Sequence, residues 1–466
     1  MSRTMQKDED RHAAALAELD GILGERLSRS LSVREHHGHG EGHHGNCPPP
    51  DAVAFARTTE EVSAIVKICN RHSMPIIPFG TGTSLEGHVE ALHGGLCIDL
   101  SGFDRIVEVS PDDLDCLVGA GVTRKQLNNH LRDMGLFFPV DPGADASIGG
   151  MAATRASGTN AVRYGTMRES VLGLTVVLAD GRIIKTGGRA RKSSAGYDLT
   201  RLFIGSEGTL GIITEIRLRL FGIPEQIAAA VCSFPTIENA VEAVIQTIQI
   251  GLPVARIELL DPLQMRACIE YSKLHDMTAA PTLFYEFHGS ETGVGENSET
   301  AQEIAESFGG RNFEWAVRPE DRNRLWQARH DAYYAGLALR KGCMAWPTDV
   351  CVPISRLARC IHETRTDIEE SGLLAPIVGH VGDGNFHVQF LIDPGDPAEL
   401  EKARFLNKRL VRRALAMGGT CTGEHGIGHG KIDSLAEEHG DAVQVMATIK
   451  RALDPNGIMN PGKIIG

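Results

Sequence analysis

Residues 139–165 read PVDPGADASIGGMAATRASGTNAVRYG, the longest of three glycine-rich stretches in the chain. The other two are PFGTGTSLEGH at 78–88 and GSEGTLGII at 205–213, each beside an apolar run of strand character. Glycine allows successive backbone N–H groups to converge on an anion such as a phosphate. An ordinary tight turn would explain any one stretch alone. Three of them in one region of strands and helices indicate a backbone wrapped around a long cofactor with a pyrophosphate.

Two familiar nucleotide motifs are not met. The dinucleotide fingerprint GxGxxG requires a third glycine, but Leu85 occupies that position in 78–88. The stretch GEHGIGHGK at 423–431 is only superficially like a phosphate loop, because His425 stands where the first glycine is required. The sequence therefore argues against a nicotinamide dehydrogenase and against ATP binding.

Composition excludes several other classes of protein. The 466 residues exceed the usual size of a single core, so two or three domains are expected. The net charge of −13 argues against broad nucleic-acid binding, which needs a basic face. The ten cysteines include no CxxC pair. That pattern fits reduced thiols better than an iron–sulfur protein or a disulfide scaffold.

The chain also lacks the sequence signals of membrane insertion and export. No apolar run approaches the roughly 20 residues of a membrane-spanning helix. The N-terminal region has no signal-peptide core, and it is rich in acidic residues, whereas transit peptides are poor in them. We expect a cytoplasmic protein without a transmembrane segment. Peripheral association with the inner membrane through a partner stays open.

Periodicity predicts the elements around the glycine-rich stretches. Leucines at helical spacing predict a helix over 8–27, and the glycines interleaved in HHGHGEGHH at 36–44 indicate a mobile loop. Capping boxes at Thr58–Glu61 and Thr123–Gln126 predict two helix starts within a mixed α/β domain at 46–224. Further helices are predicted at 236–250, 297–308, 321–341 and 397–417, and strands at 227–234 and 282–288.

A metal site is one explanation of two closely spaced histidines. The stretch GHVGDGNFH at 379–387 contains an Asp-Gly pair typical of a hairpin turn. If Gly382–Asn385 form a four-residue turn, His380 lies directly opposite His387. Such side chains have Cβ atoms about 4.5–5.5 Å apart on one face, so both imidazoles can bind one ion. Glu424, in a glycine-rich loop, is the candidate third ligand. A hydrogen-bonded pair of structural histidines also fits the spacing.

The three glycine-rich stretches closely resemble the FAD-binding domain of vanillyl-alcohol-oxidase-type flavoproteins. Within them, the chain is similar to the branch with cytochrome-type D-lactate dehydrogenase, D-2-hydroxyglutarate dehydrogenase and the glycolate oxidase FAD subunit, over roughly residues 47–466. The resemblance implies an FAD cofactor. Some relatives attach FAD through a histidine, and His88 ends the 78–88 stretch, but this branch usually binds FAD without a covalent bond, as we expect here. The implied FAD-binding residues are Pro78, Gly80, Thr81, Gly82, Thr83, Ser84, Asp145, Ser147, Gly149, Gly150, Ser157, Asn160, Gly165, Gly208 and Ile213.

The resemblance also implies the fold class. It predicts an α+β chain in which a two-part α/β FAD-binding domain of the vanillyl-alcohol-oxidase type is joined to an α+β substrate (cap) domain with an antiparallel sheet. The predicted division has four parts. They are an N-terminal helix and His-rich loop at 1–45, the FAD-binding domain at 46–224, the substrate domain at 225–420, and a C-terminal segment returning to the flavin at 421–466.

The family motifs HxGDGNxH and GEHGIG match this chain at every fixed position. They imply a divalent metal, Zn or Mn, bound by His380, His387 and Glu424. His425 is the predicted general base, since an imidazole titrates near working pH. Arg329 matches the family's WxxR element and is predicted to bind the substrate carboxylate through a bidentate fork. A solvated surface charge would be the default interpretation of this arginine without the resemblance.

The predicted function is oxidation of a small D-2-hydroxy acid, with D-lactate the preferred substrate. Relatives often carry a lysine for a second substrate carboxylate near Met344 and Pro347, which are not basic and so favour a monocarboxylate. With no haem or iron–sulfur motif here, we expect cytochrome c, an electron-transfer flavoprotein or a quinone to accept the electrons. A homodimer is the oligomeric state to test. The alternatives are a glycolate oxidase FAD subunit, a D-2-hydroxyglutarate dehydrogenase, and a non-enzymatic FAD- or metal-binding protein.

Overall fold

Side-chain hydrogen bonds cap the start of two helices that the sequence predicted, one after Thr58 and one after Thr123. Thr123 accepts a hydrogen bond from the N–H of Gln126, and the Gln126 side chain accepts one from the N–H of Thr123, so the predicted capping box is confirmed. Thr58 likewise accepts from the N–H of Glu61. The Glu61 carboxylate, however, accepts hydrogen bonds from the Arg26 guanidinium and the N–H of Arg57. The prediction of a complete capping box at Thr58 is therefore wrong.

The computed structural model describes residues 12–42, 47–190 and 192–465. Within them the helices, α1 to α16 in chain order, are Ala13–Leu23, Leu31–His36, Thr59–Arg71, Arg124–Leu131, Ile148–Thr154, Ala161–Tyr164, Met167–Ser170, Leu199–Phe203, Ile237–Gln249, Pro262–Ser272, Glu291–Ser307, Pro319–Ala338, Ile354–Ser371, Pro397–Ala416, Ile432–His439 and Ala442–Leu453. The strands, β1 to β19, are Leu27–Ser28, Ala52–Phe55, Ile76–Phe79, Leu96–Asp99, Ile106–Ser110, Asp115–Gly119, Leu136–Phe137, Val171–Val177, Ile183–Gly187, Ile212–Arg219, Phe221–Gly222, Gln226–Ser233, Val254–Leu260, Thr282–Gly289, Arg311–Ala316, Met344–Pro347, Val350–Cys351, Ile377–His380 and Asn385–Ile392.

The first described helix is shorter than predicted. α1 ends at Leu23, because Gly24 takes a φ of +54° that breaks the helical path, and Leu27 lies on β1 instead. The predicted end at residue 27 is therefore wrong, while residues 8–11 lie outside the described residues. The helix nevertheless buries the predicted apolar face, since Leu16, Leu19 and Leu23 all belong to the core.

One histidine of the His-rich stretch is packed into the core. His37 is buried, its Nε2 lies 2.9 Å from a carboxylate oxygen of Asp99, and its ring contacts those of Phe55 and Phe79. The prediction of a mobile loop is wrong at this position. His43 and His44 lie outside the described residues.

The chain forms two compact units, and it crosses between them several times. Unit 1 comprises the described residues up to Ser157, Gly165–Ile223 and those from Glu424 onward, whereas unit 2 comprises Gly158–Tyr164 and Pro224–Gly423.

Unit 1 contains three sheets. The first has the order β1-β2-β4-β3, in which β2 and β3 both pair with β4 in parallel. The second is antiparallel with the order β5-β6-β10-β8-β9, and β7 pairs with β11 in a third. The core joins side chains of the two larger sheets with helices α1, α3, α4 and α5.

Unit 2 is built on one eight-stranded antiparallel sheet. Its order is β15-β12-β14-β13-β18-β19-β16, and β17 also pairs with β19. Helices α10 and α12 cover part of one face, where Leu325, Trp326 and Ala328 pack with Leu260 and Phe284. Within the described residues, no helix is both long enough and apolar enough to cross a bilayer.

Candidate active site

Close contacts within unit 1 bring the glycine-rich stretches together. The first glycine loop (residues 78–88) leaves the end of β3, and a Cβ built at Gly80 would lie 2.3 Å from the Ser147 hydroxyl. The N–H of Ser147 in turn donates to the Thr81 hydroxyl at 3.4 Å. From the third stretch, Gly208 has a φ of +72°, and its Cβ would lie 2.8 Å from Pro78 Cγ. A side chain at either glycine would separate these segments, which explains why glycine occupies both positions.

The remaining predicted FAD residues of unit 1 lie on or beside the same elements. Ser147 is the N-cap of α5, where its hydroxyl accepts the N–H of Gly150, and Asp145 accepts the N–H of Lys125 at 3.0 Å. Ile213 lies on β10 with only 5% of its surface exposed. The other residues of the set in this unit are Gly82, Thr83, Ser84, Gly149, Ser157 and Gly165.

Buried polar atoms within the first glycine loop fit a bound polar cofactor. Among the described residues, the Ser84 hydroxyl and Nδ1 of His88 are buried without a hydrogen-bond partner, while Nε2 of His88 lies 3.3 Å from Glu207 Oε1. Such orphaned groups are rare in native proteins and commonly mark a missing ligand or water. These atoms, together with the glycine backbone, suit the phosphate and polar ring atoms of FAD.

Asn160 is the predicted FAD-binding residue that unit 1 does not contain. It lies in the Gly158–Tyr164 segment of unit 2, where its side-chain oxygen accepts a hydrogen bond from Arg256 Nε at 2.9 Å. In the same unit, the Tyr164 hydroxyl lies 2.7 Å from His288 Nδ1. A role of Asn160 in FAD binding stays a prediction.

The hairpin of unit 2 has a different register from the predicted one. β18 and β19 pair so that His380 lies opposite Asn385, and Val378 lies opposite His387. The turn occupies residues 381–384, one position earlier than predicted, so the prediction that the two histidines are directly opposed is wrong. Because this displacement shifts the pairing by two residues, both histidines stay on one face. Their ring centroids lie 5.3 Å apart as a diagonal pair.

Each of these imidazoles is held through its Nδ1 atom. Nδ1 of His380 lies 2.8 and 2.9 Å from the two Glu258 carboxylate oxygens, and Nδ1 of His387 lies 2.8 Å from the carbonyl oxygen of Thr348. An ionised carboxylate and a carbonyl can only accept, so each Nδ1 carries the proton. In a neutral ring, the lone pair is then on Nε2. Metal-binding histidines in proteins are commonly oriented in this way.

Glu424 completes a group of three possible metal ligands with the two histidines. Ligand atoms of His380, His387 and Glu424 all lie within 4.8 Å of one another. Glu424 directly follows Gly423, the last residue of unit 2, and a Cβ at Gly423 would lie 2.3 Å from the Asn385 amide. The backbone therefore carries Glu424 close to the hairpin. Two imidazoles and one carboxylate are a donor set that suits zinc or manganese.

A buried charge network lies behind His380. Glu258 on β13 is 0% exposed, and both Nε and Nη2 of Arg329 lie 2.9 Å from its Oε2 atom. Burial opposes ionisation of Glu258, but His380 and Arg329 outweigh it, so the pKa of this carboxyl lies below its ordinary value. The predicted role of Arg329 in substrate binding stays a prediction. A substrate carboxylate would have to use the Nη1 side, since the Nε side is directed at Glu258.

His425 lies in unit 1 beside a second buried carboxylate. Its Nδ1 atom is 3.8 Å from Glu86 Oε1, and the Lys431 ammonium is 3.1 Å from the same oxygen. All three side chains are at most 10% exposed. The predicted base is therefore in a largely desolvated position with a carboxylate nearby, a combination that is common at catalytic sites.

Sequence reasoning missed the acidic residues that support these histidines. Glu258 could have been noticed, because VARIELL at 254–260 places Arg256 and Glu258 at alternate positions of an otherwise apolar strand. Glu86 lies within the first glycine loop and carried no separate signal.

Family models match most of the chain. Residues 50–187 match the FAD binding domain, and residues 223–464 match the C-terminal domain of FAD linked oxidases. The chain belongs to the FAD-linked oxidase family. This FAD-linked oxidase therefore uses FAD, and the sequence-based prediction of a flavoprotein oxidoreductase is confirmed.

Curated relatives share most of their length with this FAD-linked oxidase. It is 56% identical to a probable D-lactate dehydrogenase, mitochondrial, from Danio rerio, over 95% of this chain and 89% of the relative. It is 48% identical to the D-lactate dehydrogenase [cytochrome], mitochondrial, of Arabidopsis thaliana, over 97% and 80%. It is also 34% identical to the glycolate oxidase subunit GlcD of Bacillus subtilis, over 89% of both chains.

Solved structures support the fold. A 4-ethylphenol oxidase from Gulosibacter chungangensis superposes with a TM-score of 0.79 at 20% identity, over 98% of this chain and 97% of its own. p-Cresol methylhydroxylase gives a TM-score of 0.77 at 18% identity, over 97% and 96%. The predicted vanillyl-alcohol-oxidase-type fold, with a flavin-binding part and an antiparallel sheet in the second part, is confirmed.

Proposed function

We propose that this FAD-linked oxidase is a dehydrogenase that oxidises a small D-2-hydroxy acid, D-lactate above all, to the 2-oxo acid. The observation that carries the proposal is the convergence of His380, His387 and Glu424, whose ligand atoms lie within 4.8 Å of one another. A 2-hydroxy acid offers a carboxylate and an adjacent hydroxyl, which suit a divalent ion with open coordination positions. The names of the relatives from Danio rerio and Arabidopsis thaliana support D-lactate as the substrate.

Each residue has a role that follows from its chemistry. His425 would accept the hydroxyl proton, since a neutral imidazole is a base near neutral pH. Arg329 would orient the substrate carboxylate, while Glu258 keeps both Arg329 and His380 in place. The first glycine loop and the residues around Ser147 would hold FAD. When bound, FAD supplies the hydride acceptor and the divalent ion supplies Lewis acidity toward the substrate oxygens.

The metal is testable independently of turnover. Protein purified without chelator or His-tag should contain about one divalent ion per chain by elemental analysis, zinc or manganese. His380→Ala should reduce that content and leave the flavin absorbance in place. Full activity in metal-free protein would reject the site.

The substrate is tested by anaerobic flavin reduction. D-Lactate, glycolate and D-2-hydroxyglutarate are each mixed with the oxidised enzyme, and the loss of flavin absorbance is followed. The proposal expects D-lactate to give the highest ratio of limiting rate to dissociation constant. Faster reduction by glycolate would favour the second candidate, a glycolate oxidase FAD subunit, which the likeness to the Bacillus subtilis protein supports. If none of the acids reduces the flavin, the remaining candidate is a non-enzymatic FAD- or metal-binding protein.

The electron acceptor and the compartment belong to the same proposal. We propose a protein acceptor of the cytochrome type, as the name of the Arabidopsis thaliana relative suggests, with an electron-transfer flavoprotein and a quinone as the other acceptors to assay. The cytoplasmic location stays a prediction without support, because the Danio rerio and Arabidopsis thaliana relatives are both described as mitochondrial. Cell fractionation with a specific antibody distinguishes the two compartments.

A further inference from the structure

The loop that carries His425 is held by a carboxylate from the third glycine-rich stretch. Oε1 of Glu207 accepts the N–H of Ile427, and Oε2 accepts the N–H of Gly428, both at 2.7 Å. Each oxygen of one carboxylate thus binds one of two consecutive amides, and those amides lie two and three residues after His425. Hydrogen bonds to an ionised acceptor are among the strongest in proteins.

Glu207 is itself fixed and shielded from water. It is only 6% exposed, and its carbonyl oxygen accepts the side-chain amide of Asn460 at 2.8 Å. Its φ of +52° is unusual for a residue with a side chain. A glycine would be the easier residue at such a position, so an observed glutamate there is a reason to look for a function.

The glycines of the held loop allow it to lie flat against these groups. A Cβ at Gly426 would lie 2.7 Å from Glu207 Oε1 and 2.8 Å from His88 Nε2, and one at Gly428 would lie 1.8 Å from the carbonyl oxygen of Glu86. A side chain at Gly426 or Gly428 would therefore push the loop away from Glu207 and Glu86.

We infer that Glu207 is a positioning residue for the reaction: it fixes the loop that presents His425 and thereby sets where the proton acceptor stands. The inference rests on the proposed function, because it assigns His425 as the base. The inference gives a second role to a residue of the third glycine-rich stretch, which is otherwise attributed to FAD binding. The Glu207 carboxylate accepts hydrogen bonds from the Ile427 and Gly428 amides, so Glu207 acts on the reaction through the loop.

The primary test is Glu207→Gln in the full-length holoenzyme. The neutral amide keeps the volume but replaces one acceptor oxygen with an NH2 group, which cannot accept the second N–H. The limiting rate of anaerobic flavin reduction by D-lactate should fall about a hundredfold, the size of effect expected from a misplaced catalytic group. The dissociation constant for D-lactate and the flavin content should stay unchanged. Glu215→Gln on β10, which keeps one acceptor oxygen for the single hydrogen bond from the Thr175 hydroxyl, is the matched control and should behave as wild type.

A double-mutant cycle separates this inference from the proposed function. If Glu207 acts through His425, then Glu207→Gln should cause no further loss in a His425→Ala background. A further loss there, or a wild-type rate in Glu207→Gln alone, would overturn the inference. A wild-type rate in His425→Ala would instead reject the base assignment in the proposed function, whatever Glu207 does.

Hydrogen exchange supplies a readout that does not depend on turnover. The Ile427 and Gly428 amides should lose protection in Glu207→Gln, while the amides of β10 keep theirs. Unchanged protection of the two loop amides would contradict the inference even if the double variant were too slow to measure. Should the Gln variant fold poorly, Glu207→Gly removes the carboxylate and relieves the positive φ, and the same loss of protection is expected.

Discussion

At the scale of single residues, the unit 2 site depends on a charge that has no access to water. Glu258 is 0% exposed and contacts two cationic or potentially cationic partners, Arg329 and His380. Removing one member of such a buried network leaves the others uncompensated, and this costs about 3–5 kcal/mol. The same residue orients a proposed metal ligand, and loss of such support typically reduces metal affinity by roughly 10–100-fold.

We therefore expect Glu258→Gln to weaken metal binding by about 10–100-fold and to lower the stability of unit 2. Metal affinity is measured by competition with a chromophoric chelator, and stability by urea denaturation. Glu215→Gln serves as the control, because its partner is a neutral hydroxyl far along the chain from the hairpin. Unchanged metal affinity with lowered stability would mean that Glu258 only balances Arg329.

At the scale of elements, the hairpin turn requires a glycine for two separate reasons. Gly384 has a φ of +80°, and a Cβ there would lie 2.0 Å from the backbone carbonyl oxygen of Val352. That neighbour is backbone, so the turn itself would have to move, and His380 and His387 would move with it. Gly372 has a similar φ of +72°, but nothing lies within 4 Å of its Cβ position.

Gly384→Ala should consequently destabilise the protein by more than Gly372→Ala, which carries only the conformational penalty of about 1–3 kcal/mol. Only the first variant should also lose the divalent ion. Denaturation curves and elemental analysis of both variants provide the comparison. Equal losses of stability, with metal retained in both, would show that the turn can shift without disturbing the histidines.

The buried pair of His37 and Asp99 in the N-terminal region is expected to make stability depend on pH. Burial disfavours the charged form of His37, but hydrogen bonds to Asp99 and to the Val33 carbonyl outweigh it, and the pKa of His37 is raised above 6.5. A raised pKa in the folded state means that the stabilisation is complete below pH 6.5 and is lost as the pH rises through the folded-state value. On Asp99 itself, burial is likewise outweighed by hydrogen bonds from His37 and Ser101, which lowers the pKa of this carboxyl.

The difference in melting temperature between wild type and His37→Gln should therefore be larger at about pH 6 than at about pH 9. Thermal unfolding of both proteins across this range is the measurement. His130→Gln, at an exposed position on α4, is the control and should leave the profile unchanged. If the difference in melting temperature is the same at all pH values, protonation of His37 is not coupled to folding.

Local signals in the sequence predicted those features that local geometry determines. The Thr123 cap and the glycine-rich stretches involve residues a few positions apart, and the structure brings the stretches together in unit 1. The hairpin register was missed because GDGN and VGDG are both acceptable four-residue turns, and alternation alone cannot choose between them. Glu258 was missed because it lies 122 residues from His380 and 71 from Arg329, so no local pattern joins them.

At the scale of the whole molecule, the net charge of −13 bears on the electron acceptor. A protein with this net charge attracts a basic acceptor such as cytochrome c electrostatically, and dissolved salt screens that attraction. Turnover limited by cytochrome c should fall several-fold between about 10 and 150 mM salt, whereas turnover with a neutral quinone should change little. Steady-state assays with both acceptors at equal flavin concentration test this. The same salt response with both acceptors would exclude electrostatic steering.

The threading of the chain through its two units has a consequence for biosynthesis. The polypeptide leaves unit 1 for the last time at Ile223 and re-enters it at Glu424. The returning part contains α15, α16 and the loop whose amides are hydrogen-bonded to Glu207. Domains generally fold as they emerge from the ribosome, from the N-terminal side. Unit 1 therefore cannot be completed until residues Pro224–Gly423 have been synthesised. The hairpin that carries His380 and His387 can consequently fold before the flavin-binding unit is complete.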